Sequence, residues 1–195
     1  MKSISSKESL RRKFLQQRSS LSREDWENLS QKILNRFFEL ELWEKVKLLT
    51  CYVSFNNEVN TLPILREAIK QNKQVAVPRV NANKDGLSFY EIKDIERDLE
   101  LGSFKILEPI PERTKQISPE IPELHIVPGI VFDKKGFRIG YGRGYYDKFL
   151  NTISQEAIKV ALAFDFQVID KIPVGVNDIP IDLIITDKKI IYPRK

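Results

Sequence analysis

The apolar residues near the start of the chain recur every three or four positions, which is the period of an amphipathic helix. The pattern predicts a first helix that begins at Ser5 and places Leu10 and Phe14 on its apolar face. A second helix is predicted from Ser22, a residue type that caps helix N-termini, and its apolar stripe continues to about Leu42. Both helices are therefore expected to pack against a core along one face.

Further along the chain, apolar residues form short continuous runs, which are typical of strands covered on both faces. These runs alternate with helical segments at residues 61–71 and after Gly144. The alternation implies βαβ units, so we predict an α/β fold with a mainly parallel sheet, helices on both faces and one domain over residues 1–195. Residues 94–122 contain four prolines and are expected to form an extended surface connection. The predicted strands are residues 46–54, 74–80, 87–92, 124–127, 158–164 and 182–186.

The composition, with 42% hydrophobic and 30% charged residues, is ordinary for a folded globular protein. No apolar run approaches the roughly 20 residues that span a bilayer, and residues 1–13 lack the apolar core of a signal peptide. Cys51 is the only cysteine, so we expect a cytoplasmic protein with a reduced, buried thiol. His125, the only histidine, lies inside a predicted strand without a partner at metal-ligand spacing, and we interpret it as structural.

The formal net charge is +5, which suits an anionic partner, either nucleic acid or a small phosphorylated ligand. The 32 basic residues are interleaved with 27 acidic ones, however, and a solvated mixed-charge surface is the simpler explanation. On the first helix, Lys7, Arg11 and Arg18 fall within about 40° of one another. Three cations on one stripe repel each other unless an anion faces them, although a solvated basic edge is an alternative.

Five of the eight glycines lie between residues 129 and 144, so the backbone there is suited to close approach rather than to packing. Gly140, Gly142 and Gly144 alternate, which is neither the dinucleotide fingerprint nor a Walker A loop. A tight turn before a helix is one interpretation of this spacing. The combination of a strand, a glycine loop, two nearby arginines and a helix start favours a loop that binds phosphate.

Carboxylates near this loop are candidates for holding a metal ion beside phosphate oxygens. Asp147 falls in the first turn of the following helix, where an acid also favours the helix dipole. One carboxylate with phosphate oxygens is enough for Mg²⁺, and Asp178 is a candidate for the second, with Asp165 and Asp182 weaker. Glu58 follows the first strand, at the sheet edge where ligands bind, although it also suits a helix N-terminus.

One long motif and three shorter stretches can be compared with known families. The motif is Pro128-Gly129-x-x-Phe132-Asp133 followed by Arg138-x-Gly140-x-Gly142-x-Gly144-Tyr145-Tyr146-Asp147, and the shorter stretches are Lys7-x-x-Leu10-Arg11, Asn57-Glu58-Val59 and Asn177-Asp178. The motif resembles the signature of the 5-formyltetrahydrofolate cyclo-ligase family, also called methenyltetrahydrofolate synthetases. The shorter stretches are similar to the family at matching places, so the resemblance runs from about residue 6 to 187. It implies a three-layer αβα sandwich of Rossmann-like type.

The resemblance implies ATP- and Mg²⁺-dependent closure of 5-formyltetrahydrofolate to 5,10-methenyltetrahydrofolate, with release of ADP and phosphate. The formyl oxygen would attack the γ-phosphate, N10 would attack the activated carbon, and phosphate would then leave. Phosphoryl transfer of this kind needs positioning and charge neutralisation rather than a covalent nucleophile, which suits the residues present. We expect a monomer in one-carbon metabolism that binds these small molecules, and neither nucleic acid nor a membrane.

The resemblance also implies roles for individual residues. Catalysis is assigned to Arg138, Arg143 and Asp147, and Mg²⁺ binding to Asp147 and Asp178. ATP contacts are assigned to Lys7, Arg11, Arg138, Ile139, Gly140, Tyr141, Gly142, Arg143, Gly144, Tyr145 and Tyr146. Folate contacts are assigned to Arg11, Val53, Glu58, Tyr141, Gly142, Arg143, Gly144 and Tyr145.

Two positions depart from the family pattern, because Tyr141 stands where many relatives carry a basic residue and Glu123 replaces a frequent aspartate. Two other hypotheses stay open at this point. One is a non-catalytic nucleotide- or RNA-binding relative on the same fold, which would need a broad basic surface. The other is a different ATP-using ligase of this fold that acts on another heterocycle.

Overall fold

A computed structural model describes residues 6–81, 83, 85–102, 106–118 and 122–193. Its helices are α1 (Lys7–Ser19), α2 (Arg23–Phe38), α3 (Glu41–Lys45), α4 (Leu62–Lys70), α5 (Ile95–Asp98) and α6 (Tyr145–Leu150), with a 3₁₀ turn at Asp165–Gln167. The strands are β1 (Leu48–Cys51), β2 (Gln74–Val80), β3 (Leu87–Ile92), β4 (Leu99–Leu101), β5 (Leu107–Pro109), β6 (Lys115–Ile117), β7 (Leu124–Ile126), β8 (Val131–Asp133), β9 (Arg138–Ile139), β10 (Ile158–Ala163), β11 (Val168–Ile169), β12 (Leu183–Thr186) and β13 (Ile190–Ile191).

Eight strands form one sheet in the order β13-β12-β10-β7-β1-β2-β3-β6. The five central strands, from β12 to β2, run parallel, and their burial on both faces explains their continuous apolar runs. The outer strands are antiparallel to their neighbours: β13 at one edge, and β3 followed by β6 at the other. The predicted α/β class with a mainly parallel sheet is confirmed.

Helices cover both faces of this sheet, which gives the three layers. On one face, α2, α3 and α4 pack against alternate sheet residues such as Leu49, Val75 and Leu162. On the other face, α6 packs against the opposite set, which includes Ala76 and Ala161. A small sheet in the order β11-β8-β9 lies on that second face, and α1 packs against it.

Several predicted boundaries were wrong for local reasons. The first strand spans only Leu48–Cys51, because the Thr61 hydroxyl donates to the Tyr52 carbonyl (2.7 Å) and accepts from the Ser54 N–H (3.0 Å), which diverts the chain from the sheet. The second helix ends at Phe38 rather than near Leu42, since a turn there lets the Trp43 ring in α3 pack on the Phe38 ring, with centroids 5.1 Å apart.

Other differences concern short elements. Residues 94–122 are not wholly irregular, because they contain α5, the β4-β5 hairpin and edge strand β6. Strands β8, β9 and β11, of two or three residues, are too short for alternation to reveal. The predicted cap Ser5 lies outside the described residues, and the neighbouring Ser6 caps α1 by accepting from the Ser9 N–H. In the second helix, the predicted cap Ser22 does accept from the Asp25 N–H.

Within the part of the chain that the structure describes, no helix is both long and apolar enough to cross a membrane. Cys51 is a free, buried thiol in β1, as predicted from its apolar surroundings. Burial raises the pKa of this thiol, so it is a packing residue rather than a nucleophile.

Candidate active site

A cavity of about 450 Å³ opens where β1, β2 and β7 end and the glycine loop crosses above them. This is the carboxyl edge of the parallel strands, where α/β sheets bind ligands. The structure brings every residue of the predicted site to this one cavity, although their individual roles stay predictions. These residues are Lys7, Arg11, Val53, Glu58, the continuous segment 138–147 and Asp178.

Sequence reasoning missed several cavity residues. Tyr52 directly follows β1 and Pro128 lies two residues after β7, so their position after an apolar run was the signal that could have found them. Ile106 and Glu108 come from the segment that was predicted to be irregular, and no pattern in the sequence marks them. The missed lining residues are Tyr52, Phe55, Pro78, Val80, Leu87, Ile106, Glu108 and Pro128.

The glycine loop needs its glycines for backbone conformation. Gly142 and Gly144 have φ values of +100° and +69°, a left-handed region that side chains with a β-carbon disfavour. Gly144 is also the N-cap residue of α6. The Arg11 guanidinium lies against this loop, with its Nε donating to the Gly140 carbonyl oxygen at 2.8 Å. Arg11 thus faces the loop from α1, as the basic stripe suggested.

A cluster of paired charges borders one side of the cavity. Lys7 in α1 forms an ion pair with Asp178. The Arg138 Nη2 atom lies 3.0 Å from Asp147 Oδ1, and its Nη1 donates to the Ile179 carbonyl oxygen at 3.2 Å. Burial lowers the pKa of Arg138, partly offset by the Asp147 charge. The cluster therefore pairs two cations with two acids. One pair joins α1 to the turn at Asp178, and the other lies within the segment 138–147.

Asp147 and Asp178 suit a magnesium site that phosphate oxygens complete. Asp147 Oδ1 is buried, and its contact with Arg138 lacks hydrogen-bond geometry, so no described residue satisfies it by a hydrogen bond. Partial burial raises the pKa of Asp178, but the Gly175 N–H, Lys7 and Arg138 lower it more, so this carboxylate is ionised. Among the residues that the structure describes, no group of three or more His, Cys, Asp or Glu side chains lies close enough together to hold a metal ion. Two carboxylates with phosphate oxygens and water are the usual Mg²⁺ ligands.

Glu58 borders the cavity from the loop after β1, with only 4% of its surface exposed. Its Oε1 accepts a hydrogen bond from the Tyr141 hydroxyl at 2.9 Å, and its Oε2 accepts from the Phe55 N–H at 3.1 Å. Burial raises the pKa of Glu58 to about 7, although Arg18, the Phe55 N–H and Tyr141 each act to lower it. A nearly buried carboxylate at a cavity wall is a functional-site candidate.

Helical spacing placed Arg18 on the basic stripe of the first helix, but the sequence assigned it no role. It is 1% exposed and lies behind Glu58 rather than in the cavity. Its Nη2 donates to the Tyr141 hydroxyl oxygen at 2.5 Å, and its Nη1 lies 3.8 Å from Glu58 Oε1. The Tyr141 ring also stacks on Phe55, with centroids 5.1 Å apart. Burial of the last cation of the stripe was not visible in the spacing.

Other candidates have structural surroundings. His125 is buried, its Nδ1 lies 2.8 Å from the Thr50 hydroxyl, and burial lowers its pKa to about 4. Asp133 organises the turn after β8 by accepting hydrogen bonds from the Lys135 and Phe137 N–H groups. The weaker metal candidates Asp165 and Asp182 pair with Lys188 and Lys159 and do not line the cavity, and Glu123 accepts a hydrogen bond from the Lys47 N–H.

An αβα sandwich with a glycine loop, cations and two carboxylates gathered at the carboxyl edge of its sheet is typical of an α/β enzyme that binds an anionic small molecule. The comparison with known proteins agrees and is more specific. The sequence model of the 5-formyltetrahydrofolate cyclo-ligase family matches residues 3–187. The chain belongs to this family and is an enzyme of the ligase class.

Individual relatives support the same assignment. The solved structure of the 5,10-methenyltetrahydrofolate synthetase of Aquifex aeolicus is similar with a TM-score of 0.85 and 33% identity, covering 97% of this chain and 93% of that one. The 5-formyltetrahydrofolate cyclo-ligase of Mycoplasma pneumoniae is 30% identical over 185 residues, 93% of this chain and 99% of that protein. The probable 5-formyltetrahydrofolate cyclo-ligase of Caenorhabditis elegans is 27% identical over 180 residues, 88% of this chain and 87% of that protein.

Proposed function

We propose that this protein converts 5-formyltetrahydrofolate to 5,10-methenyltetrahydrofolate, using ATP and Mg²⁺ and releasing ADP and phosphate. The observation that carries the proposal is that two chemically different groups of residues line one cavity, and we call these groups its charged wall and its apolar wall. One wall has cations, backbone amides and two acids. The other has a buried carboxylate among aromatic and aliphatic side chains. A reaction that joins a nucleotide phosphate to a flat heterocycle needs both walls within reach of each other.

The charged wall supports nucleotide phosphate binding. Lys7, Arg11, Arg138 and Arg143 all line it, and an arginine guanidinium matches the oxygens of a phosphate. The glycine loop also leaves open space beside its backbone at Gly140. No atom lies within 4 Å of the point that a β-carbon would occupy there. Phosphates bound here would form ion pairs with Lys7 and Arg138, which in this structure pair with Asp178 and Asp147.

The apolar wall supports binding of the folate heterocycle. Glu58 lines the cavity together with Tyr52, Val53 and Phe55, so a flat ring bound here would meet apolar surface and one acceptor group. The pterin ring of folate carries an amino group and a ring N–H on one edge. A carboxylate can accept two N–H groups of such an edge at once.

In the proposed reaction, the formyl oxygen attacks the γ-phosphorus of ATP while the bond from that phosphorus to ADP breaks. N10 of the folate then attacks the activated formyl carbon and loses its proton. The carbon–oxygen bond to phosphate breaks as the ring closes, so that the phosphate leaves with the proton from N10. Arg138 and Arg143 neutralise the charge on the phosphate oxygens, and Glu58 holds the heterocycle in position. When bound, Mg²⁺ would be held by Asp147 and Asp178 and would neutralise further phosphate charge.

The test is the growth of absorbance from methenyltetrahydrofolate when purified protein meets 5-formyltetrahydrofolate with ATP and Mg²⁺. We expect product formation that stops when EDTA removes the metal and resumes when excess Mg²⁺ is added. One molecule of ADP should form for each molecule of 5,10-methenyltetrahydrofolate. Folded protein that binds ATP and yet forms no product would refute the proposal. A monomeric state, one domain over the whole chain and a cytoplasmic location stay predictions.

A further inference from the structure

The loop that carries Glu58 has a costly backbone conformation that one buried arginine supports. Asn56 and Asn57 have φ values of +47° and +55°, and two consecutive residues in this region are unusual even for asparagine. Arg18 Nε donates to the Asn56 carbonyl oxygen at 3.1 Å, and Asn57 Nδ2 lies 3.4 Å from the Arg18 carbonyl oxygen. The main chain of this loop is therefore fastened to α1.

The same arginine also reaches the Glu58 side chain through Tyr141. Arg18 donates to the Tyr141 oxygen, and the Tyr141 hydroxyl donates to Glu58 Oε1. With the Phe55 N–H on Oε2, two hydrogen bonds reach a carboxylate that has about four acceptor positions. About two positions stay open for donors from a ligand, so the carboxylate is held firmly without being saturated.

We propose that Arg18 and Tyr141 are positioning residues for the Glu58 carboxylate, which they hold in the orientation that receives the N–H edge of the heterocycle. The inference rests on the proposed function for the identity of the ligand. It gives Tyr141 a role other than a phosphate contact, because its hydroxyl is already shared between Arg18 and Glu58. Neither residue is expected to touch the reacting atoms.

Every charged or titratable group near Glu58 bears on its protonation. Arg18 from α1 and the Tyr141 hydroxyl from the glycine loop favour the ionised form. Tyr52 after β1 and Tyr146 in α6 also interact with this carboxylate electrostatically, and burial raises the pKa of both phenols far above neutrality. Since both phenols stay neutral, Arg18 and Tyr141 are the groups whose removal should raise the pKa of Glu58.

Tyr141→Phe is the direct test, because it removes one hydroxyl and keeps the ring on Phe55. We expect the KM for 5-formyltetrahydrofolate at pH 7 to rise about three- to ten-fold, the loss of one hydrogen bond, with the KM for ATP and kcat within about two-fold. Arg18→Lys keeps the positive charge but loses the planar guanidinium that donates to two partners, so it should also raise the KM for 5-formyltetrahydrofolate. The pH dependence of this KM should shift less in Arg18→Lys than in Arg18→Gln, which removes the charge. The matched control is Tyr192→Phe, 67% exposed and outside this cavity, which should change nothing.

A second readout needs no turnover. In a ¹³C NMR titration of the free protein, the Glu58 carboxyl should titrate near pH 7 in the wild type and about half a unit to one unit higher in Tyr141→Phe. An unchanged titration, or equal rises in the KM values for folate and ATP, would overturn the positioning role. Wild-type protein without turnover would refute the proposed function alone, because the titration still decides whether these residues control Glu58.

Discussion

Replacing Glu58 by glutamine should weaken folate binding and at the same time stabilise the protein at alkaline pH. Glu58 is nearly buried, and its pKa in the folded protein is about 7, against an ordinary value of 4.5. Between these two pH values the folded chain holds a proton that the unfolded chain has released. The contribution of Glu58 to the stability of the wild type must therefore fall as pH rises through this window.

The magnitude follows from the distance between the two pKa values. A gap of about 2.5 pH units at about 1.4 kcal/mol per unit corresponds to about 3 kcal/mol. Glutamine has the same shape and does not titrate, so the free energy of unfolding of Glu58→Gln, minus that of the wild type, should grow by about 3 kcal/mol from pH 4.5 to pH 8. Other titrating groups are common to both proteins and cancel in this difference. Arg18, left without a carboxylate, adds an offset that does not vary with pH.

Urea unfolding of both proteins at several pH values between 4.5 and 8 measures this difference. Calorimetry with 5-formyltetrahydrofolate and, separately, with ATP completes the experiment, since only folate affinity should fall in the variant. Two stability curves that run parallel with pH would refute the reasoning, because Glu58 would then titrate as an ordinary exposed acid. A selective loss of ATP affinity would contradict its place on the folate wall.

Three further outcomes are expected. Asp147→Asn should abolish Mg²⁺-dependent turnover in the absorbance assay and keep the wild-type circular dichroism spectrum, whereas the control Asp182→Asn, outside the cavity, should turn over normally; unchanged turnover in the first variant would reduce Asp147 to a helix-start acid. Gly142→Ala places a β-carbon at φ +100° and 3.5 Å from the Arg11 guanidinium. Urea unfolding should therefore show a free energy of unfolding lower by about 1–2 kcal/mol, and kinetics should show a higher KM for ATP. Stability and kinetics equal to those of the wild type would show that the loop relaxes. His125, the only histidine, should give an imidazole proton resonance that does not titrate between pH 8 and pH 5, because burial lowers its pKa to about 4. Its own contribution to stability should fall as pH drops below 6.5 towards 4. A midpoint near 6.5 would contradict its burial.

The layers of the fold followed from the sequence because hydrophobic period is a local signal. The runs at 74–80 and 87–92 became β2 and β3 with the predicted bounds, although only part of each strand is buried. Boundaries set by side-chain contacts were not visible. The early end of β1 depends on Thr61, and the turn after Phe38 depends on aromatic packing with Trp43.

The candidate site divides in the same way. The glycine loop and Asp147 lie together in the sequence, so their motif could be recognised before their geometry was known. The hydrogen bonds from Arg18 to Tyr141 and from Tyr141 to Glu58 join positions that are 123 and 83 residues apart along the chain. Spacing along one helix placed Arg18 on a basic stripe but could not show that the end of this stripe is buried. Long-range contacts of this kind appear only once the chain is folded.

The central claim is that ATP and folate occupy two walls of one cavity at the same time. Calorimetric titration of 5-formyltetrahydrofolate into protein saturated with Mg²⁺ and a non-hydrolysable ATP analogue tests it most directly. The account predicts one folate bound per chain, with affinity equal to or higher than that of the free protein. A folate affinity that falls in proportion to the analogue concentration would contradict it, because the two ligands would then compete for a single site.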